Sequence, residues 1–138
     1  MKENIVCSGA LFYSTSTKRF LFLQRTDMKT QGTWGLVGGQ AHFTESAFEG
    51  LKREITEEVG DTPNFKKVIP LELFTSNDQK FFFHTYLIAI DGEFLPKLNS
   101  EHSGYCWCAF ECWPKNLHGG LRNTLNNKSI KGKLQTIL

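Results

Sequence analysis

Three glutamates within one helical turn restrict this chain more than any other feature. Residues 38–61 read GGQAHFTESAFEGLKREITEEVGD, in which Gly39, Glu45, Arg53, Glu54, Glu57, Glu58 and Gly60 follow the order G-x5-E-x7-R-E-x2-E-E-x-G. Thr44 can cap a helix running to about Val59, with Glu45 in its first turn and Gly60 as the left-handed exit. At about 100° per residue with Glu54 at zero, Glu57 falls near −60° and Glu58 near +40°, so three carboxylates crowd one face. Ala47, Phe48, Leu51, Ile55 and Val59 form an apolar stripe beside them. Glu58 therefore sits on the border of the buried face, while Glu49, Lys52 and Thr56 face water.

Like charges three and four residues apart repel, and burying one of them raises the penalty. A stable chain keeps such a cluster when something positive sits in it. Carboxylate oxygens suit hard divalent ions, Mg²⁺ or Mn²⁺, which bind through a few carboxylates plus substrate phosphates. Gly50 costs about 1 kcal/mol against alanine in mid-helix. It falls one turn before Glu54, where its lack of bulk would leave room for metal and phosphate.

Each residue type in the pattern makes up roughly 5–7% of ordinary sequences, so a chance match is roughly a one-in-millions event. The segment resembles the Nudix box, and the chain is identified as a member of the Nudix hydrolases on residues 34–60. The usual aliphatic residue after the last glycine is replaced by Asp61, which touches the helix exit rather than the charged cluster.

The resemblance implies an α/β fold, a mixed β-sheet in an α/β/α sandwich, formed by one domain over residues 1–138. It implies hydrolysis of a pyrophosphate bond in a nucleoside diphosphate linked to another group, with water attacking phosphorus. Glu57 and Glu58 become the main metal ligands, Glu54 ligates or positions water, and a carbonyl of Gly38 or Gly39 is the neutral ligand. Arg53 becomes an orienting residue that pairs with the glutamates. Glu45, opposite Glu54 on the wheel, becomes a supporting residue or loop anchor. Glu101, in SEHSGYCW, is the candidate general base, with His102 or a box glutamate as rivals. Arg25 and Gly38 are expected to reach substrate phosphate and Trp34 to bind substrate. Read from residue type alone, Trp34, Phe81, Phe83 and Tyr86 either stack a nucleobase or, as aromatic residues in strands usually do, fill the core. The family also implies homodimers, since its members often pair.

Composition narrows the alternatives. The chain has 138 residues, 40% of them hydrophobic, with 12 phenylalanines and three tryptophans, enough for one aromatic core. A net charge of +2 argues against a dedicated nucleic-acid binder. Lys115, Arg122, Lys128, Lys131 and Lys133 make the last 26 residues basic, as a solvated surface or a phosphate-attracting rim. The start MKENIVCSGALFY lacks a signal core and no run approaches a membrane span, so a soluble, cytoplasmic protein is expected. Cys7, Cys106, Cys108 and Cys112 read as reduced thiols, because C-x-C-x3-C is not a zinc spacing.

Strands are expected over 4–13, 19–25, the short run WGLVGGQ, 68–74, 80–90 and 105–110. Pro70 should bend the start of its strand, and KFFFHTYLIAI should be central. Weakly helical material follows Pro114, and SIKGKLQTIL closes the chain as a short helix. The leading reading is a pyrophosphohydrolase of nucleoside triphosphates, dinucleoside polyphosphates or nucleotide sugars such as ADP-ribose. Its competitors are a catalytically silent nucleotide sensor and an RNA 5′-end pyrophosphohydrolase.

Overall fold

The computed structural model describes residues 4–138, so the first three residues of the opening segment lie outside it. The elements are β1 (Ile5–Ser14), β2 (Arg19–Arg25), β3 (Trp34–Gly35), β4 (Val37–Gln40), α1 (Ala47–Val59), β5 (Lys67–Thr75), β6 (Phe81–Ile90), β7 (His102–Ala109), α2 (Gly119–Asn126) and α3 (Lys128–Ile137). The strands form one sheet in the order β3-β2-β1-β6-β5, with β4 also on β1 and β7 also on β2. β1 and β6 run parallel from Ile5 opposite Phe81 to Ser14 opposite Ile90, and the remaining pairs are antiparallel. β6 is hydrogen-bonded on both sides, as its nearly continuous apolar run requires.

Alternation along the strands sorts two cores. Phe20 and Phe22 of β2 join Leu11, Tyr13 and Leu87 beneath Leu121, Leu125, Ile130 and Leu134 of α2 and α3. Leu21 and Leu23 point the other way, with Phe12, Ile88 and Ile90, onto Leu51, Ile55 and Val59 of α1. Helices thus cover both faces and the sandwich is α/β/α. Each fully buried Leu or Phe contributes about 1.5–3 kcal/mol. Trp113 packs edge-on against Phe20 and Phe22, and Trp107 against Phe94.

Two irregularities position the site. β1 shares one edge between partners: β2 pairs at Tyr13 and Ser14, whereas β4 pairs from Cys7 to Ala10. The fork leaves the glycines of β4 beside α1. The second lies in β5, where Pro70 sits inside the strand rather than bending its start. Pro70 faces Tyr86, but Glu72, not Leu71, faces Thr85. Leu71 is therefore the extra residue of a β-bulge. Without it Glu72 would turn to the α1 face; with it, Leu71 and Glu72 both point toward α2 and α3.

Among the described residues, no helix is long and apolar enough to cross a membrane. Cys7, Cys106 and Cys108 are free and half-buried, and Cys112 is free and exposed. The Cys106 and Cys108 sulfurs lie 3.6 Å apart on one face of β7, where burial first and the neighbouring thiol second push Cys106 up to about 12.

Candidate active site

Helix α1 starts later than the sequence suggests. Ser46, not Thr44, is the N-cap: its hydroxyl accepts from the Glu49 N–H at 3.1 Å, and the Glu49 carboxylate accepts from the Ser46 N–H at 2.8 Å. This reciprocal capping box outcompetes a lone threonine. Glu45 consequently lies before the helix, not in its first turn. At the other end Gly60 ends the helix with φ +79° and ψ −147°, a glycine conformation outside the left-handed helical region expected for the exit.

Three of the glutamates meet around one guanidinium. Arg53 donates from Nε and Nη2 to the two oxygens of Glu45 at 2.8 and 3.1 Å. Its Nη1 donates to Glu54 at 3.2 Å and Glu57 at 3.1 Å, and Nη2 also donates to the Gln40 carbonyl at 3.0 Å. Glu45 accepts in addition from the His42 N–H at 2.7 Å, which ties the preceding loop to the helix. The Arg53 hydrogen bonds, then that backbone bond, pull Glu45 down to about 2.

Glu58 occupies the buried border, only 3% exposed, and accepts from the Gly38 N–H at 3.0 Å. Burial pushes its carboxyl up to about 8, with the charges of Glu54 and Glu101 adding to the rise and the Gly38 bond opposing it. Burial also raises Glu54, against the pull of Arg53. The glycines let these groups approach. A Cβ at Gly39 would fall 2.5 Å from the Glu54 carboxyl carbon, and one at Gly38 would fall 2.0 Å from the Ser8 carbonyl oxygen. Gly50 has a different job from the one its wheel position suggests. A Cβ there would meet Ala41 Cα at 2.8 Å, so its smallness seats the loop on the helix rather than clearing space for a ligand.

The loop between Asn99 and Glu101 is stitched to the same helical turn. Asn99 donates from Nδ2 to the Glu57 carbonyl at 3.0 Å, while its Oδ1 accepts from the Glu101 N–H at 2.9 Å. Glu101 is exposed, and its charge acts on both Glu54 and Glu58. His102 is 8% exposed, with Nδ1 buried and unpartnered, and burial followed by the Arg25 charge lowers its pKa. Arg25 donates from Nε to the Thr30 hydroxyl at 2.9 Å and to Asp27 at 3.3 Å.

One cleft of about 1000 Å³ is lined by Arg25, Gly38, Gly39, Glu54, Glu57, Glu58, Glu101 and His102, whereas Arg53 and Glu45 stand behind its wall and do not line it. Phe81 and Phe83 line it too. Trp34 does not: it packs, half-buried, against the α2/α3 core. Tyr86 stands on the opposite face against Phe48. None of Lys115, Arg122, Lys128, Lys131 or Lys133 lines the cleft. The sequence reading missed Glu72 and the α2 residues Asn123 and Thr124, which form its far wall. Only Pro70 hinted that β5 was irregular.

The donor set fits a hard cation. It is all oxygen, and burial, helped by the charges of Glu54 and Glu101, raises Glu58 to about 8, a penalty that a positive ion would relieve. Among the described residues no group of three or more acidic, histidine or cysteine side chains stands placed to hold a metal ion by itself. Arg53 holds Glu54 and Glu57, so a cation competes with it for their oxygens.

The family comparison agrees with this geometry. A model of the NUDIX domain matches residues 5–127, and the chain belongs to that family. Among solved structures it is similar to a MutT NUDIX hydrolase from Burkholderia pseudomallei, at 23% identity and a TM-score of 0.74, covering 92% of this chain and 99% of that one. It is also similar to an Ap4A hydrolase from C. elegans, at 18% identity and TM-score 0.70, covering 96% and 98%. The NUDIX domain of Shewanella oneidensis NrtR, solved with ADP ribose, matches at 17% identity and TM-score 0.62, covering 79% and 75%. At these identities the likeness establishes the fold. No curated protein matches the sequence.

Proposed function

We propose that the chain hydrolyses a pyrophosphate bond in a nucleoside diphosphate linked to another moiety, using Mg²⁺ or Mn²⁺ held by Glu54, Glu57 and Glu58. One observation carries this reading: those carboxylates and the Gly38–Gly39 backbone open together into a cleft whose other end is aromatic. The Gly39 carbonyl is the natural neutral oxygen ligand beside them. When bound, the cation neutralises phosphate charge and lowers the pKa of a coordinated water.

The chain's own residues have separable tasks. Arg53, clamped by Glu45, sets the orientation of Glu54 and Glu57. Glu101 is exposed at the cleft rim and is suited to accept the proton of the attacking water. His102 is the poorer candidate, because its Nδ1 is buried without a partner and burial, then the Arg25 charge, lowers its pKa. Arg25, oriented by Thr30 and Asp27, faces the cleft as the cation available to a substrate phosphate. Nucleoside triphosphates, dinucleoside polyphosphates and nucleotide sugars such as ADP-ribose all suit the arrangement. The C. elegans neighbour is an Ap4A hydrolase and the Shewanella domain was solved with ADP ribose. This reading makes the protein a cytoplasmic enzyme of small nucleotides.

The test is a panel of these nucleotides with Mg²⁺ or Mn²⁺ and identification of the products. Glu57→Gln and Glu58→Gln should each abolish nearly all turnover while leaving the fold intact. Equal turnover in wild type and both variants would overturn the metal assignment. Nucleotide binding without turnover would make the protein a sensor, and cleavage confined to triphosphorylated RNA would make it an RNA 5′-end enzyme.

A further inference from the structure

We infer that the aromatic end of the cleft selects a base presenting two adjacent N–H donors, the amino-lactam edge of guanine, and that Glu72 is the residue that reads it. This deepens the nucleotide-hydrolase reading and rests on it.

Because Leu71 is the extra residue, Glu72 faces Thr85 and points into the cleft instead of toward α1. Bulges beside active sites commonly re-aim one side chain in this way. The carboxylate is half-buried, and one of its oxygens accepts from the Thr124 hydroxyl at 2.6 Å. Among the described residues no lysine or arginine forms an ion pair with it; Lys133, on α3, donates instead to the Leu71 carbonyl at 3.0 Å. A carboxylate has about four acceptor sites. One is used here, beside Phe74, Phe81 and Phe83. A partly desolvated anion on an aromatic floor is stabilised by N–H donors from whatever occupies that floor.

Register supplies the distance. Gly38 lies opposite Gly9, Gly9 opposite Thr85, and Thr85 opposite Glu72, one row across β4, β1, β6 and β5. Three strand spacings of about 4.8 Å put Glu72 roughly 14 Å from the Gly38 backbone that abuts the carboxylate cluster. That is the span of a nucleoside with its phosphates laid across the sheet. The Phe83 ring lies against Gly9, where a Cβ would meet it at 3.1 Å, so the middle of the row is aromatic. A base stacked there presents its edge to Glu72. Guanine offers N1–H and the 2-amino group side by side to the two carboxylate oxygens. Adenine offers an acceptor at N1, which a carboxylate repels. Hypoxanthine keeps N1–H and loses the amino group.

The experiment compares kcat/KM for GTP, ITP and ATP in wild type, Glu72→Gln and Glu72→Ala, together with binding of GMP and AMP in EDTA. Wild type should favour GTP over ATP by at least about tenfold, with ITP between them. Glu72→Gln, which keeps an acceptor for Thr124, should remove that preference mainly through KM, and should remove the GMP preference in EDTA. If Glu72 only fastens α2 to β5, Glu72→Gln leaves selectivity unchanged, and the inference falls. Turnover without base preference in wild type also overturns it, while the hydrolase reading stands. GMP preferred over AMP and lost in Glu72→Gln, with no nucleotide hydrolysed, upholds the base site and overturns hydrolysis. No binding and no turnover overturns both.

Discussion

Arg53 grips Glu45 with two parallel bonds, Nε to Oε2 at 2.8 Å and Nη2 to Oε1 at 3.1 Å. The fork leaves Nη1 aimed at Glu54 and Glu57, so a residue outside the helix fixes the side chains that would bind metal. An ammonium cannot reproduce a planar fork. Arg53→Lys should therefore lower kcat/KM by about 10- to 100-fold and weaken Mg²⁺ affinity in step, with little change in melting temperature. Unaltered metal titration in that variant would contradict the positioning role.

Glu58 predicts an unusual pH dependence for the metal-free protein. Its folded pKa of about 8 exceeds its ordinary value of 4.5, so the folded state binds more protons between those limits. Stability must then fall as pH rises, by up to about 1.4 kcal/mol per unit for one group. His102 and His118, lowered by burial from 6.5, act in the opposite sense near and below that value, which makes pH 7 to 8 the cleaner window. Thermal melts in EDTA should show a decline across that window. Glu58→Gln should flatten it, and Mg²⁺ should restore most at pH 8. A flat wild-type profile would refute the buried charge.

Gly50→Ala sets two effects against each other. Helix propensity favours alanine by about 1 kcal/mol. The new methyl, however, would lie 2.8 Å from Ala41 Cα and 2.9 Å from Ala41 Cβ. Such overpacking costs about 1–3 kcal/mol, and the obstacle includes backbone. The expected result is a lower denaturation midpoint; a higher one would show that the loop at Ala41 yields freely.

Glu101→Gln should reduce kcat far more than substrate affinity, if Glu101 takes the proton. His102→Ala should chiefly affect stability, because its ring is buried. Single-turnover kinetics with both variants separates them, and a kcat loss confined to His102→Ala would move the base to histidine.

Charge and spacing made the carboxylate cluster legible, since E-x-x-E-E on a helix dictates a shared face whatever surrounds it. The strands were legible for a similar reason: alternation in RFLFLQR and the apolar run KFFFHTYLIAI each imply one kind of environment. The cap was misplaced although S-A-F-E was present, because Thr44 and Ser46 compete and only the Glu49 return bond decides. Trp34 was assigned to the cleft on side-chain type, and Tyr86 was left open between cleft and core, because facing depends on strand pairing. Glu72 was hidden because simple alternation turns it to the other face, and the residue that reverses this, Leu71, looks ordinary.

One side-chain amide ties the Glu57 turn to the loop that bears Glu101: Asn99 holds the Glu57 carbonyl with its nitrogen and the Glu101 N–H with its oxygen. Asparagine is among the residues that heat degrades. Hydrolysis of the Asn99 amide, with water supplying the oxygen that replaces the departing ammonia, would turn the donor into a second oxygen confronting the Glu57 carbonyl, loosening the loop from that turn while both cores stay closed. Stored or heat-aged preparations should thus go silent well before they melt.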